Sequence, residues 1–334
     1  MSNTGASEKQ SIDVKHILQK YGIVFVLILM IIGLSIAEPA FLSQSNIFNV
    51  LTQSSIFGIM ALGLTFVIIS KGIDLSVGSV LAFAGVVAAS LGQAATATGK
   101  YFPQLGEMPV IVPILAALAI GALCGGVSGF LIAKTRIPAF IATLGMMTVA
   151  RGLALIYTSG KPVSTLIPSL TLLGGKVFNV IPIPVIIYFI MIVISSVLLN
   201  KTRFGKNIYA IGGNITAAEV SGVNVSKNLI GIYAYSGLLA GLAAVVFAGR
   251  VGSVHPGAAT GYELTAIAAT TIGGTSHSGG IGTIWGAFVG AMVLAVMRNG
   301  LTLLGVDAYW QQVTEGVIIV VAVIIDMRKN AKKN

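Results

Sequence analysis

The chain has 334 residues, 55% of them hydrophobic and only 9% charged (20 Lys and Arg, 10 Asp and Glu), with a mean hydropathy of +0.94. Soluble domains carry roughly 25% charged residues, and one of this length could not hide so much apolar surface from water. A soluble or peripheral enzyme, a lipid-anchored domain and a one-span receptor are therefore excluded, because at about 20 apolar residues per span the chain holds material for roughly eight to eleven spans.

The net charge of +10, without basic stripes interleaved with aromatic residues, excludes nucleic-acid binding. It reads instead as Lys and Arg gathered in cytoplasmic loops. Cys124 is the single cysteine, so no intramolecular disulfide can form.

Apolar runs predict ten helical spans, near 21–37, 47–69, 78–96, 110–133, 137–157, 179–199, 229–249, 262–274, 283–302 and 310–325. Helices are required because backbone groups in hydrocarbon must bond within their own segment. The eighth run is short and polar, which leaves open nine spans plus a re-entrant piece. The domain expectation is a cytoplasmic segment over 1–20, one transmembrane domain over 21–327 and a cytoplasmic tail over 328–334. With both termini inside, fourteen of the twenty basic residues fall on the cytoplasmic side, Lys9, Lys71, Lys134, Arg136, Lys201, Arg203, Lys206, Lys332 and Lys333 among them. Lys15 and Lys20 precede a run ending in Ser35-Ile36-Ala37, as in a signal peptide. That run is longer than an h-region, however, and Glu38-Pro39 follows at once, so it reads as an uncleaved anchor.

In chain order, Asn46, Asn49 and Gln53 share one helical face at the outer end of the second span. Such amides suit sugar hydroxyls or helix cross-links. Gly72-Ile73-Asp74-Leu75-Ser76 follows, then a small-residue span. Gly121, Gly125 and Gly129 form a strip at four-residue spacing, as do Gly282, Gly286 and Gly290, with a shorter pair at Gly237 and Gly241. Small residues so spaced let helices pack closely inside a bundle. Arg151 stands within the fifth span.

The long polar stretch 201–228 reads as a cytoplasmic loop with one or two short amphipathic helices, Gly213-Asn214 a stop and Thr216-Ala217-Ala218-Glu219 a start. It serves either as a connection or as a docking surface. Gly261-Tyr262-Glu263-Leu264-Thr265 then repeats the glycine, apolar, acid, leucine, hydroxyl order of the segment at Asp74. Five spans separate the two, as an inverted repeat of spans two to five and seven to ten requires. Each carboxylate either caps a helix start or lines a path. Arg298-Asn299 closes the ninth span, and Trp310-Gln311-Gln312 opens the tenth beside the interfacial anchor Tyr309.

Residues 273–280 are glycine-rich but lack the Gly-Lys-Ser/Thr ending of a phosphate-binding loop, and Gly-Lys pairs elsewhere, as at Gly99, Gly160 and Gly205, continue with Tyr101, Pro162 and Asn207 rather than Ser or Thr. These residues read as a tight cytoplasmic turn. The three histidines have no metal spacing, and no triad or carboxylate pair offers catalysis.

Gly58-Ile59-Met60-Ala61-Leu62-Gly63 through Ser79, Ala139-Phe140-Ile141-Ala142-Thr143-Leu144-Gly145, Lys201 through Asn214, Gly261 through Ala269, Gly273-Gly274-Thr275-Ser276 with Gly279-Gly280, and Asn299-Gly300-Leu301 together resemble the bacterial monosaccharide ABC importer permeases of the ribose type. The resemblance runs from about residue 20 to 327; His277 is less typical of its glycine loop. It implies an all-α inner-membrane permease subunit that pairs with a second copy or a close paralogue. A cytoplasmic ATPase and a periplasmic sugar-binding protein are the other implied partners.

This chain would bind no cofactor, ATP being used by the partner. Segment 203–223 would meet the ATPase through Arg203, Gly205, Gly212, Gly213, Asn214, Ala217, Ala218 and Gly222. The sugar, whether ribose, a galactoside, xylose, allose or autoinducer-2, would move along the interface of the pair by alternating access. Asn49, Gln53, Asp74, Ser76, Arg151, Glu263 and Asn299 are the candidate path residues. The alternative is an ion-coupled secondary transporter in which Asp74 or Glu263 carries protons. A structural or receptor-like protein would need neither broken helices nor intramembrane acids.

Overall fold

The computed structural model describes residues 14–178 and 180–331. Lys9, Lys332 and Lys333, and the expectations for 1–13 and 332–334, lie outside them. The chain folds as α1 (Val14–Ala37), α2 (Gln44–Ile69), α3 (Val77–Leu91), α4 (Ile111–Thr135), α5 (Ala139–Thr158), β1 (Val163–Ser164), α6 (Pro168–Thr171), β2 (Lys176–Val177), β3 (Ile181–Pro182), α7 (Ile183–Lys201), α8 (Arg203–Gly213), α9 (Ile215–Val220), α10 (Val225–Val251), β4 (Ser253–Val254), α11 (Tyr262–Ile272), α12 (Ile284–Leu303) and α13 (Ala308–Ala331).

A helix stands at each of the ten predicted runs. Among the described residues seven are long and apolar enough to cross a membrane: α2, α4, α5, α7, α10, α12 and α13. The apolar part of α1 (Gly22–Ala37) is shorter, and α11 has 11 residues. The third run also stops early. α3 has 15 residues, a rise of about 22 Å against a hydrocarbon layer of roughly 30 Å. The chain leaves the helix at Gly92, whose carbonyl accepts from the Ile167 N–H at 2.8 Å, and Gln93 bridges to Leu166. Non-helical backbone at membrane depth is tolerated only inside protein, and the segment between α2 and α3 meets that condition, since Asp74 is 0% exposed.

Helix α2 is the axis of the bundle and is almost wholly buried, with α10 and α12 beside it. The outward faces of α4, α5, α7 and α13 carry exposed Leu123, Ile156, Phe189 and Val317, the composition of a lipid-facing surface. Packing repeats across the two halves. α10 lies on α3 and α4 as α2 lies on α11 and α12; α3 touches α4 and α5 as α11 touches α12 and α13; and α2 and α10 pack on each other. The first turns of α2 meet the last turn of α10, where Arg250 Nη2 donates to Asn49 Oδ1 at 3.2 Å, so the paired helices run in opposite directions, as an inverted repeat demands.

The glycine strips serve internal packing. A Cβ at Gly125 would overlap the Tyr233 carbonyl, and one at Gly237 the Gly121 carbonyl, so α4 and α10 touch backbone to backbone. Short antiparallel pairs, β1 with β4 and β2 with β3, tie the loops at the end of the bundle opposite α8 and α9.

Candidate functional site: helix starts, an open cavity and an exposed helix pair

The two repeated acids stand where α3 and α11 begin. Asp74 Oδ1 accepts from the Ser76 N–H at 3.0 Å and the Ser76 hydroxyl at 2.6 Å, and Oδ2 accepts from the Ser236 hydroxyl of α10 at 2.9 Å. An Asp that bonds two residues ahead closes a turn and places its negative charge at a helix N-terminus, where the dipole favours it. Both carboxylate oxygens are thus engaged, in a place sealed by protein.

Glu263 is set differently. Its Oε1 accepts from the Gly261 N–H at 3.2 Å, while Oε2 is buried with no hydrogen-bond partner. A Cβ at Gly78 would overlap that Oε2, so the start of α11 lies against the first turn of α3. Arg151 Nη1 donates to the carbonyls of Pro256 and Ala258 at 2.7 and 2.8 Å. It thereby holds the approach to α11 and sets a positive charge facing Glu263.

Between α2, α11, α12 and α13 lies a cavity of about 650 Å³, lined in part by Gln53, Tyr262, Arg298, Gln311, Gln312 and Glu315. Arg298 Nη2 donates to Thr265 Oγ1 at 2.7 Å and to the Glu315 carboxylate, and its guanidinium lies 5.6 Å from the Phe57 ring centre. Of the path residues expected from sequence, only Gln53 lines this space. Asn299 exchanges amide bonds of 2.9 and 2.8 Å with Asn46, cross-linking α2 to α12. Asn49 is exposed beside Arg250, and Asp74, Ser76, Arg151 and Glu263 cluster at the helix starts.

At the opposite end, Thr202 caps α8 by accepting from the Gly205 N–H at 3.2 Å, and Asn214 caps α9 by accepting from the Ala217 N–H at 3.0 Å. Gly222 turns the chain out of α9 at φ +83°. Gly205, Gly212 and Ala218 face inward, whereas Arg203, Gly213, Asn214, Ala217 and Val220 are exposed. A Cβ at Gly212 would overlap the Ile69 carbonyl. Ile69 O accepts from the Gly280 N–H at 2.8 Å, Lys71 Nζ donates to Gly213 O at 3.3 Å and Tyr209 OH to Gly282 O at 2.7 Å. The glycine-rich loop 273–282 is therefore wedged between α8, the end of α2 and, through the His277 N–H to Asp326 Oδ2 bond of 3.0 Å, α13. Burial holds the His277 imidazole below its ordinary range, against the opposing pull of the Asp326 carboxylate.

A family model described as the permease component of branched-chain amino acid transport systems matches residues 46–323. The chain belongs to this permease family. It is similar to the ribose import permease protein of Escherichia coli, 43% identical over 319 residues that cover 94% of this chain and 95% of that protein. The Bacillus subtilis ribose import permease is 42% identical over 327 residues, 97% and 98% of the two chains. The galactose/methyl galactoside import permease of Haemophilus influenzae is 40% identical over 324 residues, 95% and 96%. No solved structure matches.

The permease is thus a multi-pass membrane transport subunit and not an enzyme. One ion pair, Arg298 with Glu315, is not among the path residues expected from sequence, although an acid inside the tenth apolar run is itself a signal of a buried partner.

Proposed function

We propose that this permease is the membrane subunit of an ABC importer that carries a monosaccharide inward. What supports it is the likeness, over nearly the whole of both chains, to ribose and galactose import permeases. The ATP-hydrolysing subunit docks on the exposed face of α8 and α9, at Arg203, Gly213, Asn214 and Ala217, while Gly205, Gly212 and Ala218 shape that face from behind and Gly222 ends it with a turn. This end carries Lys71, Lys134, Arg136, Lys201, Lys206 and Lys227 and faces the cytoplasm with both termini. The opposite end receives a sugar-loaded periplasmic binding protein in the inner membrane of a bacterium.

Two copies, or this chain and a close paralogue, work together, and the sugar crosses at their interface by alternating access. Loop 273–282 and the Ile69–Gly280 bond give a push on α8 a packed route to α2, α12 and α13. Of the path residues, Gln53 has a group free to meet substrate, whereas Asp74, Ser76, Arg151, Glu263 and Asn299 set the helices around it, and Asn49 marks the outer mouth. No cofactor is bound by this chain.

The unpartnered Oε2 of Glu263 favours a second reading, proton-coupled transport, over one through the fully engaged Asp74. Uptake of radiolabelled ribose and galactose into vesicles containing the permease and binding protein distinguishes the two. ATP-dependent uptake that vanishes when the ATPase subunit is omitted is expected; undiminished uptake without that subunit would contradict the importer reading.

A further inference from the structure

We propose that the cavity between α2, α11, α12 and α13 is a subsite for the hydroxyls of a neutral sugar, held by the Gln53 and Gln312 amides and the Arg298–Glu315 pair. The inference rests on the sugar reading above and assigns it side chains. Gln311 spends its amide within the fold, on Thr302 Oγ1 at 3.2 Å and Val306 O at 3.0 Å. Gln53 and Gln312 line the same space and make no side-chain hydrogen bond within the described chain, so each offers a donor and an acceptor.

The Glu315 side chain is 10% exposed, and its Oε1 is buried without a donor, an arrangement that costs free energy and that a small shift of the side chain toward a bound hydroxyl would relieve. Among the described residues Arg298 donates through Nη2 and keeps further N–H groups. One arginine against one glutamate leaves the cavity without net charge, which disfavours a phosphate or a free carboxylate and suits a neutral polyhydroxyl compound. Tyr262 and Ile319 add apolar wall for a ring face, and the volume of about 650 Å³ is in the range of small-molecule sites.

The test uses the complete importer, with its ATPase and binding protein, in vesicles, and radiolabelled ribose and galactose as probes. Gln53→Leu and Gln312→Leu are each expected to lower the sugar moved per ATP hydrolysed by about 2- to 10-fold, the worth of one hydrogen bond. ATP hydrolysis stimulated by the binding protein should remain unchanged. Gln312 is exposed on α13, so its replacement leaves folding intact, and Gln312→Asn should recover part of the loss. An unchanged sugar-to-ATP ratio in the double variant would overturn the subsite, as would equal losses of hydrolysis and transport. If wild-type vesicles import leucine and neither sugar, the sugar reading itself falls and the subsite with it.

Discussion

Replacing Asp74 by alanine is expected to deplete folded permease, at a cost of about 2–5 kcal/mol, because three buried donors lose their acceptor together. Those donors are the Ser76 N–H, the Ser76 hydroxyl and the Ser236 hydroxyl. The loss releases the start of α3 and its tie to α10, and so loosens the packing between the two repeats. Asp74→Asn keeps an acceptor toward Ser76, and the Ser236 hydroxyl can turn to accept from the new amide, so most of the folded protein should survive. Thermal unfolding of the detergent-purified protein, followed by size-exclusion chromatography, reads the difference. Glu107 supplies the comparison, since it lies in an exposed loop and accepts a single bond, from the Ala95 N–H at 2.8 Å. Equal losses at Glu107 and Asp74 would contradict the role given to Asp74.

The second large effect concerns neighbouring glycines with opposite duties. A Cβ at Gly213 meets no atom within 4 Å, and Ala217 is exposed. Gly213→Leu and Ala217→Trp should therefore leave insertion and thermal stability unchanged, as surface changes usually do. Both stand in the middle of the proposed docking face, where blocking a close-packed contact costs about 2 kcal/mol or more, roughly a 30-fold loss of affinity for the ATPase. At Gly212 the added atoms would strike the Ile69 carbonyl, and the permease should fail to fold. Co-purification with the ATPase subunit and a melting curve separate these outcomes. ATPase retention by the Gly213 and Ala217 variants would place docking elsewhere.

The helices were legible because lipid allows few alternatives to an apolar helix, and ten apolar runs became ten helices. The early end of α3 was not, since Ala94, Ala95 and Ala97 continue the small-residue run past Gly92. What stops the helix is pairing with 163–167, some seventy positions away. The choice between capping and path for Asp74 also lay outside local pattern, because Ser236 stands 162 residues further on. The two short helices of 201–228 were readable from its polar, amphipathic pattern, but the start expected at Thr216 falls earlier, because the Asn214 side chain accepts from the Ala217 N–H and caps α9 at Ile215. The cavity draws its walls from four helices spread along the chain, and a space of that kind has no linear signature. Glu315 was visible as an acid in an apolar run, but only its contact with Arg298 gives it meaning.

The driving force is the most direct test. Vesicles holding the permease with its ATPase and binding protein are given either internal-facing ATP without a proton gradient or a proton gradient without ATP, and sugar accumulation is measured in each. Accumulation with ATP alone, lost on Ala217→Trp, is the expected result. Accumulation driven by the gradient alone would contradict the proposal that this permease takes its energy from a separate ATPase.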